Sequence, residues 1–118
     1  MEGFRCDEDL GFFLKKSLDQ LCFGLYQIAL NFGEGVSLYI ESSVTLKQKD
    51  GQEFEFSAPY TGAGRLLSVL GAEVVEARAE ADGGLSLEFS DESALFVAND
   101  KAEYESYQIL NGSSQIIV

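Results

Sequence analysis

The apolar positions of this 118-residue chain change period as the chain proceeds, and each period predicts an element. From Asp7 onward, Leu10, Phe13, Leu14 and Leu18 recur at i, i+3, i+4 and i+8, the spacing that lines up one face of a helix. Asp7, Glu8 and Asp9 stand at the start and Lys15 and Lys16 at the end, an order of charge that suits the helix dipole. A helix over about residues 7–18, laying one apolar stripe on a sheet, is the expectation.

The period then shortens to two. Tyr26, Ile28, Leu30 and Phe32 alternate with Gln27, Ala29 and Asn31, the turn Gly33-Glu34-Gly35 comes next, and Val36, Leu38 and Ile40 return. Such alternation places one set of side chains on one face of a strand. Val44, Leu46 and Gln48 alternate with Thr45, Lys47 and Lys49. Beyond the Asp50-Gly51 hairpin signal, Phe54, Phe56 and Ala58 oppose Glu53, Glu55 and Ser57 up to Pro59. A second short helix is expected from Ala63, Leu66, Leu67 and Leu70, with Thr61 as N-cap and Gly71 just past its end. Val75, Ala77, Ala79 and Ala81 then alternate with Val74, Glu76, Arg78 and Glu80, and Asp82-Gly83-Gly84 turns the chain. Leu85, Leu87 and Phe89 form the next apolar face, and Leu95 and Val97 return after Asp91-Glu92-Ser93. A strand at about Tyr104 to Leu110, the turn Asn111-Gly112 and an apolar tail from Gln115 to Val118 complete the series.

Two of these hairpins echo each other. "IALNFGEGVSLYI" (28–40) and "LSLEFSDESALFV" (85–97) align without a gap at an offset of 57, matching Leu30 with Leu87, Phe32 with Phe89 and Leu38 with Leu95. A short helical pattern precedes each. The expected fold is therefore α+β, mainly antiparallel β-sheet with two short helices, arranged as a pseudo-twofold repeat of a helix-plus-meander unit. Its halves would span about 7–58 and 61–118 of a single domain, 1–118. A chance likeness of two amphipathic hairpins is the competing explanation.

Composition narrows the function. A hydrophobic fraction of 46% with nine Phe and five Tyr supplies a globular core. Twenty acidic against eight basic residues give a net charge of -12, which repels nucleic acid and anionic lipid. Residues 1–59 carry net -5 and residues 60–118 net -7, so the acidity belongs to the whole chain and not to a tail. Cys6 and Cys22 are the two cysteines, Cys22 within the apolar "QLCFGLY" where a buried reduced thiol is expected. With no basic-then-apolar leader pattern and no apolar run of the ~20 residues that span a bilayer, a cytoplasmic protein outside the membrane is expected.

Histidine is absent, which removes the usual general base, the Ser-His and Cys-His pairs and the commonest metal ligand. No enzyme activity is expected, although a pair of carboxylates remains a chemically sufficient catalyst for some reactions. "TGAGR" (61–65) has neither Walker nor dinucleotide spacing and reads as glycines at a helix entry. Asp7-Glu8-Asp9 and Asp91-Glu92 lack EF-hand spacing and read as helix-start and turn residues. No catalytic residue, metal site or cofactor is expected. In "AEYESYQIL" a regular strand would put Glu105, Tyr107 and Ile109 on one face and Tyr104, Ser106, Gln108 and Leu110 on the other. Glu103, Tyr104, Glu105 and Tyr107 are the candidate protein-contact strip, since tyrosines among acids suit a basic partner.

Gly71, Val74, the Asp82-Gly83-Gly84 turn, Leu85, Leu87, Phe89, Ser90-Asp91, Leu95, Val97, "YESYQI" and the closing "IIV" resemble a pattern in small bacterial proteins of unknown function. The likeness covers roughly residues 66–118 and carries no catalytic residue with it. Some similar small acidic proteins look like immunity proteins of toxin systems. The resulting expectation is a non-enzymatic protein-binding module, an immunity-type inhibitor of a basic toxin such as a nuclease. The alternatives are a self-associating structural protein that pairs an exposed strand such as "SQIIV" with its copy, and a carboxylate enzyme.

Overall fold

The computed structural model describes residues 10–60, 62–81, 83–99, 107–112 and 114–117. Among the described residues ten strands form in order: β1 (Leu18–Phe23), β2 (Ile28–Phe32), β3 (Val36–Ile40), β4 (Val44–Lys47), β5 (Glu53–Phe56), β6 (Val74–Ala79), β7 (Leu85–Phe89), β8 (Ala94–Val97), β9 (Tyr107–Asn111) and β10 (Ser114–Ile117). All neighbours pair antiparallel, in two five-stranded sheets of order β1-β2-β3-β9-β10 and β6-β7-β8-β4-β5. Each sheet combines a three-strand meander from one half of the chain with a two-strand hairpin from the other.

Period-two patterning gives each sheet one apolar face, and the two faces meet. Ile28, Leu30, Phe32, Leu38, Ile40 and Ile109 of the first sheet share one buried cluster with Val44, Leu46, Leu85, Leu87, Phe89, Leu95 and Val97 of the second. Closing two sheets on each other in this way buries a continuous core. Tyrosine hydroxyls fasten its margins. Tyr107 of β9 is 1% exposed and donates to the Gly83 carbonyl, 2.7 Å away, in the β6–β7 turn of the opposite sheet. Tyr60, also buried, donates to the Ser42 carbonyl at 2.6 Å. Gly83 has φ near +91°, and a Cβ there would run into the Asn99 side chain, so this turn requires glycine twice over.

The helical part of the α+β expectation is corrected. The described residues contain no α-helix. Two 3-10 segments, Gly11–Phe13 and Ala63–Val69, occupy the predicted places, and residues 7–9 lie outside the described ones. In both segments the buried side chains are three apart: Leu10 and Phe13, then Ala63, Leu66 and Val69. Three residues per turn is the 3-10 repeat, and it turns Leu67 outward at 52% exposure, while Leu14 and Leu70, the extended residues that end the two segments, are 42% and 46% exposed. Thr61, the expected N-cap, lies outside the described residues. Gly71 comes after the second segment with φ near +90°, the left-handed geometry expected of a residue just past a helix end.

The backbone just beyond each 3-10 segment explains why the helices stop. Residues 15–18 and 71–74 run antiparallel and exchange four backbone hydrogen bonds: Lys15 N to Val74 O (2.8 Å), Val74 N to Lys16 O (2.9 Å), Leu18 N to Ala72 O (2.9 Å) and Gly71 N to Leu18 O (2.7 Å). Ser17 opposes Glu73 at the centre of this crossing. To reach it the chain turns through positive φ at Lys15 (67°) and Gly71 (90°), conformations an α-helix cannot contain. Bulges lie just past the crossing, between Leu18 and Gln20 in β1 and between Val74 and Glu76 in β6. The second one changes the face predicted for β6 only at its start: Ala77 and Ala79 turn to the core as expected, and Val74 takes the place expected of Val75. Val74 and Ala79 are both buried although five residues separate them, while Val75 is 56% exposed, because the extra residue of a bulge shifts the alternation by one.

β1 itself escapes the sequence pattern: the expected helix ends at Leu18 and the expected alternation begins only at Tyr26. Tyr26, expected to begin the inward face of β2, is 67% exposed in the β1–β2 turn. Cys22, expected to be buried, is exposed on β1 opposite Ala29. Removal of the Tyr107 hydroxyl should loosen the contact between sheets: Tyr107→Phe is expected to cost about 1–2 kcal/mol of unfolding free energy in urea, because the Gly83 carbonyl loses a buried donor. A cost near zero would mean that the bond contributes nothing to holding the sheets.

Candidate binding surfaces

Of the proposed contact strip, Glu103, Tyr104 and Glu105 lie outside the described residues. Tyr107 is described, and its ring belongs to the core with its hydroxyl on Gly83. It offers no exposed area to a partner, so it leaves the strip; the strand parity that put it on a face with Ile109 is the same parity that buries both. The polar group Ser90 to Ser93 is turn chemistry. The Asp91 carboxylate accepts hydrogen bonds from the Ser93 amide (2.9 Å) and the Ser93 hydroxyl, and the Glu92 amide donates to the Phe89 carbonyl, as an Asx-type turn does. Arg65 of "TGAGR" places its guanidinium 4.2 Å from the centre of the Phe54 ring, a cation–π contact. Among the described residues no three His, Cys, Asp or Glu side chains are grouped as a metal would need, and no helix is long and apolar enough to cross a membrane.

The outward faces of the two sheets differ in kind. On the first, cross-strand register aligns Gln20, Asn31, Ser37, Leu110 and Gln115 in one row and Cys22, Ala29, Tyr39 and Gln108 in the next. These positions carry no charge. Their amides and hydroxyls satisfy one another: Asn31 Nδ2 donates to Gln20 Oε1 and Ser37 Oγ to Asn31 Oδ1, each at 2.8 Å, and Gln115 Nε2 donates to Gln108 Oε1 at 2.9 Å.

On the second sheet the register aligns Glu53, Lys47, Ala94, Glu88 and Glu76 in one row and Glu55, Thr45, Phe96, Ser86 and Arg78 in the next. Glu80 continues the outward side of β6. This face therefore holds five carboxylates against Lys47 and Arg78, with Phe96 at its centre, 39% exposed. Arg78 bonds Glu76 at 2.8 Å through Nη1 and approaches Glu80 only to 3.8 Å through Nε. Ser86, between Phe96 and Arg78 in its row, is buried and its hydroxyl has no hydrogen-bond partner.

Beyond the Phe96 row the next outward positions are Ser43, Ala98 and Gly84, three of the smallest side chains. A large ring beside small neighbours leaves a hollow. It measures about 530 Å³ and is flanked by Thr45 and Glu55 on one side and Glu80 and Ala81 on the other. A second, more apolar hollow of about 450 Å³ lies where the β1–β2 turn meets the second 3-10 segment, lined by Phe23, Gly24, Leu25, Tyr60, Gly64 and Leu67. Leu25 is 58% exposed there and Phe23 41%, an apolar cluster of the kind that monomers display locally. Sequence periodicity missed both places. Register, not period, sets Glu55 and Phe96 in one row, and Glu80, just past the end of β6, lines the other side of the hollow.

Electrostatic crowding on the acidic face is sharpest at Glu88. It opposes Glu76 across the β6–β7 pair, and its carboxyl is held above the ordinary glutamate range. The hydrogen bond it shares with Glu76 comes first, then repulsion by that carboxylate, then partial burial, with Arg78 pulling the other way. A carboxyl whose pKa is raised by folding favours the folded state below its unfolded pKa, and that gain is lost as pH rises through the folded value. Glu88→Gln removes the repulsion. The variant is expected to exceed the wild type in stability by about 0.3–0.5 kcal/mol at neutral pH, the scale of like charges opposed on a wet sheet face. The difference should shrink as pH falls through the raised folded value of Glu88 and its carboxyl takes up a proton. Urea unfolding at several pH values reads this directly, and a pH-independent difference would refute the repulsion.

Comparison with known proteins finds no match among curated proteins and none among solved structures. Residues 14–118, which include every strand of both sheets, match the model of a family of unknown function. The chain belongs to that family, DUF6188.

Proposed function

We propose that this chain is a non-enzymatic protein-binding module for a basic protein, acting in the manner of an immunity-type inhibitor that neutralises a basic toxin such as a nuclease, in the cytoplasm. One observation carries the reading: the outward cross-strand rows of the second sheet hold five carboxylates, with Lys47 and Arg78, about an exposed phenylalanine, while the corresponding rows of the first sheet are uncharged. An aromatic centre within a polar rim is the anatomy of a contact surface. Net charge of -12 would speed encounter with a basic partner and exclude acidic ones. Absence of histidine from the whole sequence leaves little acid–base chemistry near neutral pH to compete with this role.

We also read the two halves as copies of one unit. Supporting this are the crossing bonds, which fall into two pairs related by an offset of 56: Lys15 to Val74 with Gly71 to Leu18, and Val74 to Lys16 with Leu18 to Ala72. The same offset relates the positive φ values at Lys15 and Gly71 and the bulges of β1 and β6. The strand orders of the sheets correspond when five is added to each label of the first half. Such halves would exchange hairpins about a pseudo-twofold axis near Ser17 and Glu73.

A second reading, self-association, has a specific observation in its favour. The sheet edges are β1, β10, β5 and β6. Asp19, Glu53 and Glu55, and Glu76 and Arg78 mark three of them with charge, whereas β10, Ser114–Ile117, has none, and charged edges are the ones that resist pairing with a copy.

Affinity purification from the native host, run at low and at high salt, tests the first reading. A basic protein retained at about 50 mM salt and released by about 0.5 M is expected, because charge attraction between surfaces is screened over that range; no basic partner at low salt would sink it. Static light scattering tests the second: pairing through β10 requires a dimer at high protein concentration, and a monomer there would end that reading.

A further inference from the structure

The hollow beside Phe96 has a more particular fit than general acidity. Its wall is an aromatic ring in the middle of a sheet, its floor is the small row Ser43, Ala98 and Gly84, and a carboxylate stands on each flank, Glu55 from β5 and Glu80 from the end of β6. We propose that this hollow receives an arginine side chain of a basic protein partner, its guanidinium stacked on the Phe96 ring between the flanking carboxylates of Glu55 and Glu80; the inference rests on the basic-partner reading above.

Three features select this occupant. A planar guanidinium can lie on a ring face and still direct N–H groups outward from its edge, which an ammonium cannot do. The chain already uses the same contact internally, where Arg65 covers Phe54, and among the described residues Phe96 has no such cation over it. Glu80 is held only loosely, since Arg78 gives its close bond to Glu76 and stands 3.8 Å from Glu80. A second guanidinium can therefore take Glu80 without breaking the tight pair. Ser43, Ala98 and Gly84 are necessary to this reading, because any larger side chain in that row would fill the space.

Titration of the full chain with a short arginine-containing glycine peptide, monitored by amide and aromatic NMR, tests the proposal. Saturable shifts are expected at Ser43, Gly84, Ala98 and the Phe96 ring. A citrulline peptide of the same length should produce none, and a lysine peptide should bind about ten-fold more weakly for lack of the stacked, forked contact. Phe96→Ala should weaken the arginine peptide by roughly five- to ten-fold, and the double variant Glu55→Gln/Glu80→Gln by at least as much. Glu34→Gln/Glu92→Gln, which makes the same change of net charge in two hairpin turns away from the hollow, should leave affinity within about two-fold. Diffuse shifts over all acidic surfaces, no effect of Phe96→Ala, or equal loss in the two double variants would overturn the assignment. The two levels separate in the native complex. Salt-sensitive capture of a basic partner that the Phe96 and Glu55/Glu80 variants leave intact would overturn this hollow while the basic-partner reading stood, and no such partner at all would overturn that reading itself.

Discussion

Neither sheet of this protein can be completed from one half of the chain. The β1-β2-β3 meander takes β9 and β10 from the second half, and the β6-β7-β8 meander takes β4 and β5 from the first. Each meander alone would present an apolar face with no cover, which water disfavours, and a strand, β3 or β8, whose open edge would invite pairing with another chain. Exchange of hairpins closes the edges and supplies the opposing faces in the same step. The crossing of residues 15–18 with 71–74 results from it, because the two chains that enter β1 and β6 must pass each other where the sheets meet. The 3-10 turns, the positive φ at Lys15 and Gly71 and the paired bulges are local consequences of that passage.

Hairpin exchange also determines which parts of the fold were legible in the sequence. Strands β2, β3, β4, β5, β7, β8 and β9 emerge from alternation, since each meets the core along an unbroken face. β1 did not yield to the same pattern, and β6 yielded to it only beyond its bulge. Their bulges insert one residue, so Leu18 with Leu21 and Val74 with Ala79 fall out of phase, and a period of two dissolves into something that resembles a helix or a misplaced face. Leu10, Phe13, Leu14 and Leu18 satisfy helical spacing, yet Leu18 is buried as a strand residue and Leu14 points to water. Tertiary pairing overrode local preference there. The echo between residues 28–40 and 85–97 was visible because it lies in β2-β3 and β7-β8, the regular strands of the two meanders.

The surfaces were less legible, for a reason of the same kind. Linear counting distributes the acidity almost evenly between halves, at net -5 and -7. Strand register redistributes it by face, and only then does an uncharged amide-and-hydroxyl surface separate from an acidic one. In linear sequence Phe96 is an ordinary member of an apolar run, "ALFV", and Glu55 and Glu80 are ordinary charges on strands 25 residues apart. Tyr107, which composition marked for a partner, carries its hydroxyl inward to Gly83. An amphipathic ring can serve a surface or a core margin equally well, and what decides between them is the parity of the strand that holds it.

The two functional readings also bear on each other through charge. A chain at -12 repels its own copies, and β10 is the one uncharged edge of the four, so pairing there would bring two strongly acidic bodies together. Screening limits the penalty to charges within about 8 Å of the contact at physiological ionic strength. The acidic face belongs to the other sheet, with the whole core between it and the first sheet's outer surface. Its carboxylates therefore do little to oppose an edge-to-edge pair, and such a pair would leave them turned to solvent. The concentration of charge on the outer rows of one sheet would thus keep both contacts compatible: a basic partner on the Phe96 face would draw on the full field of the molecule, while the uncharged edge is where a copy would meet least resistance.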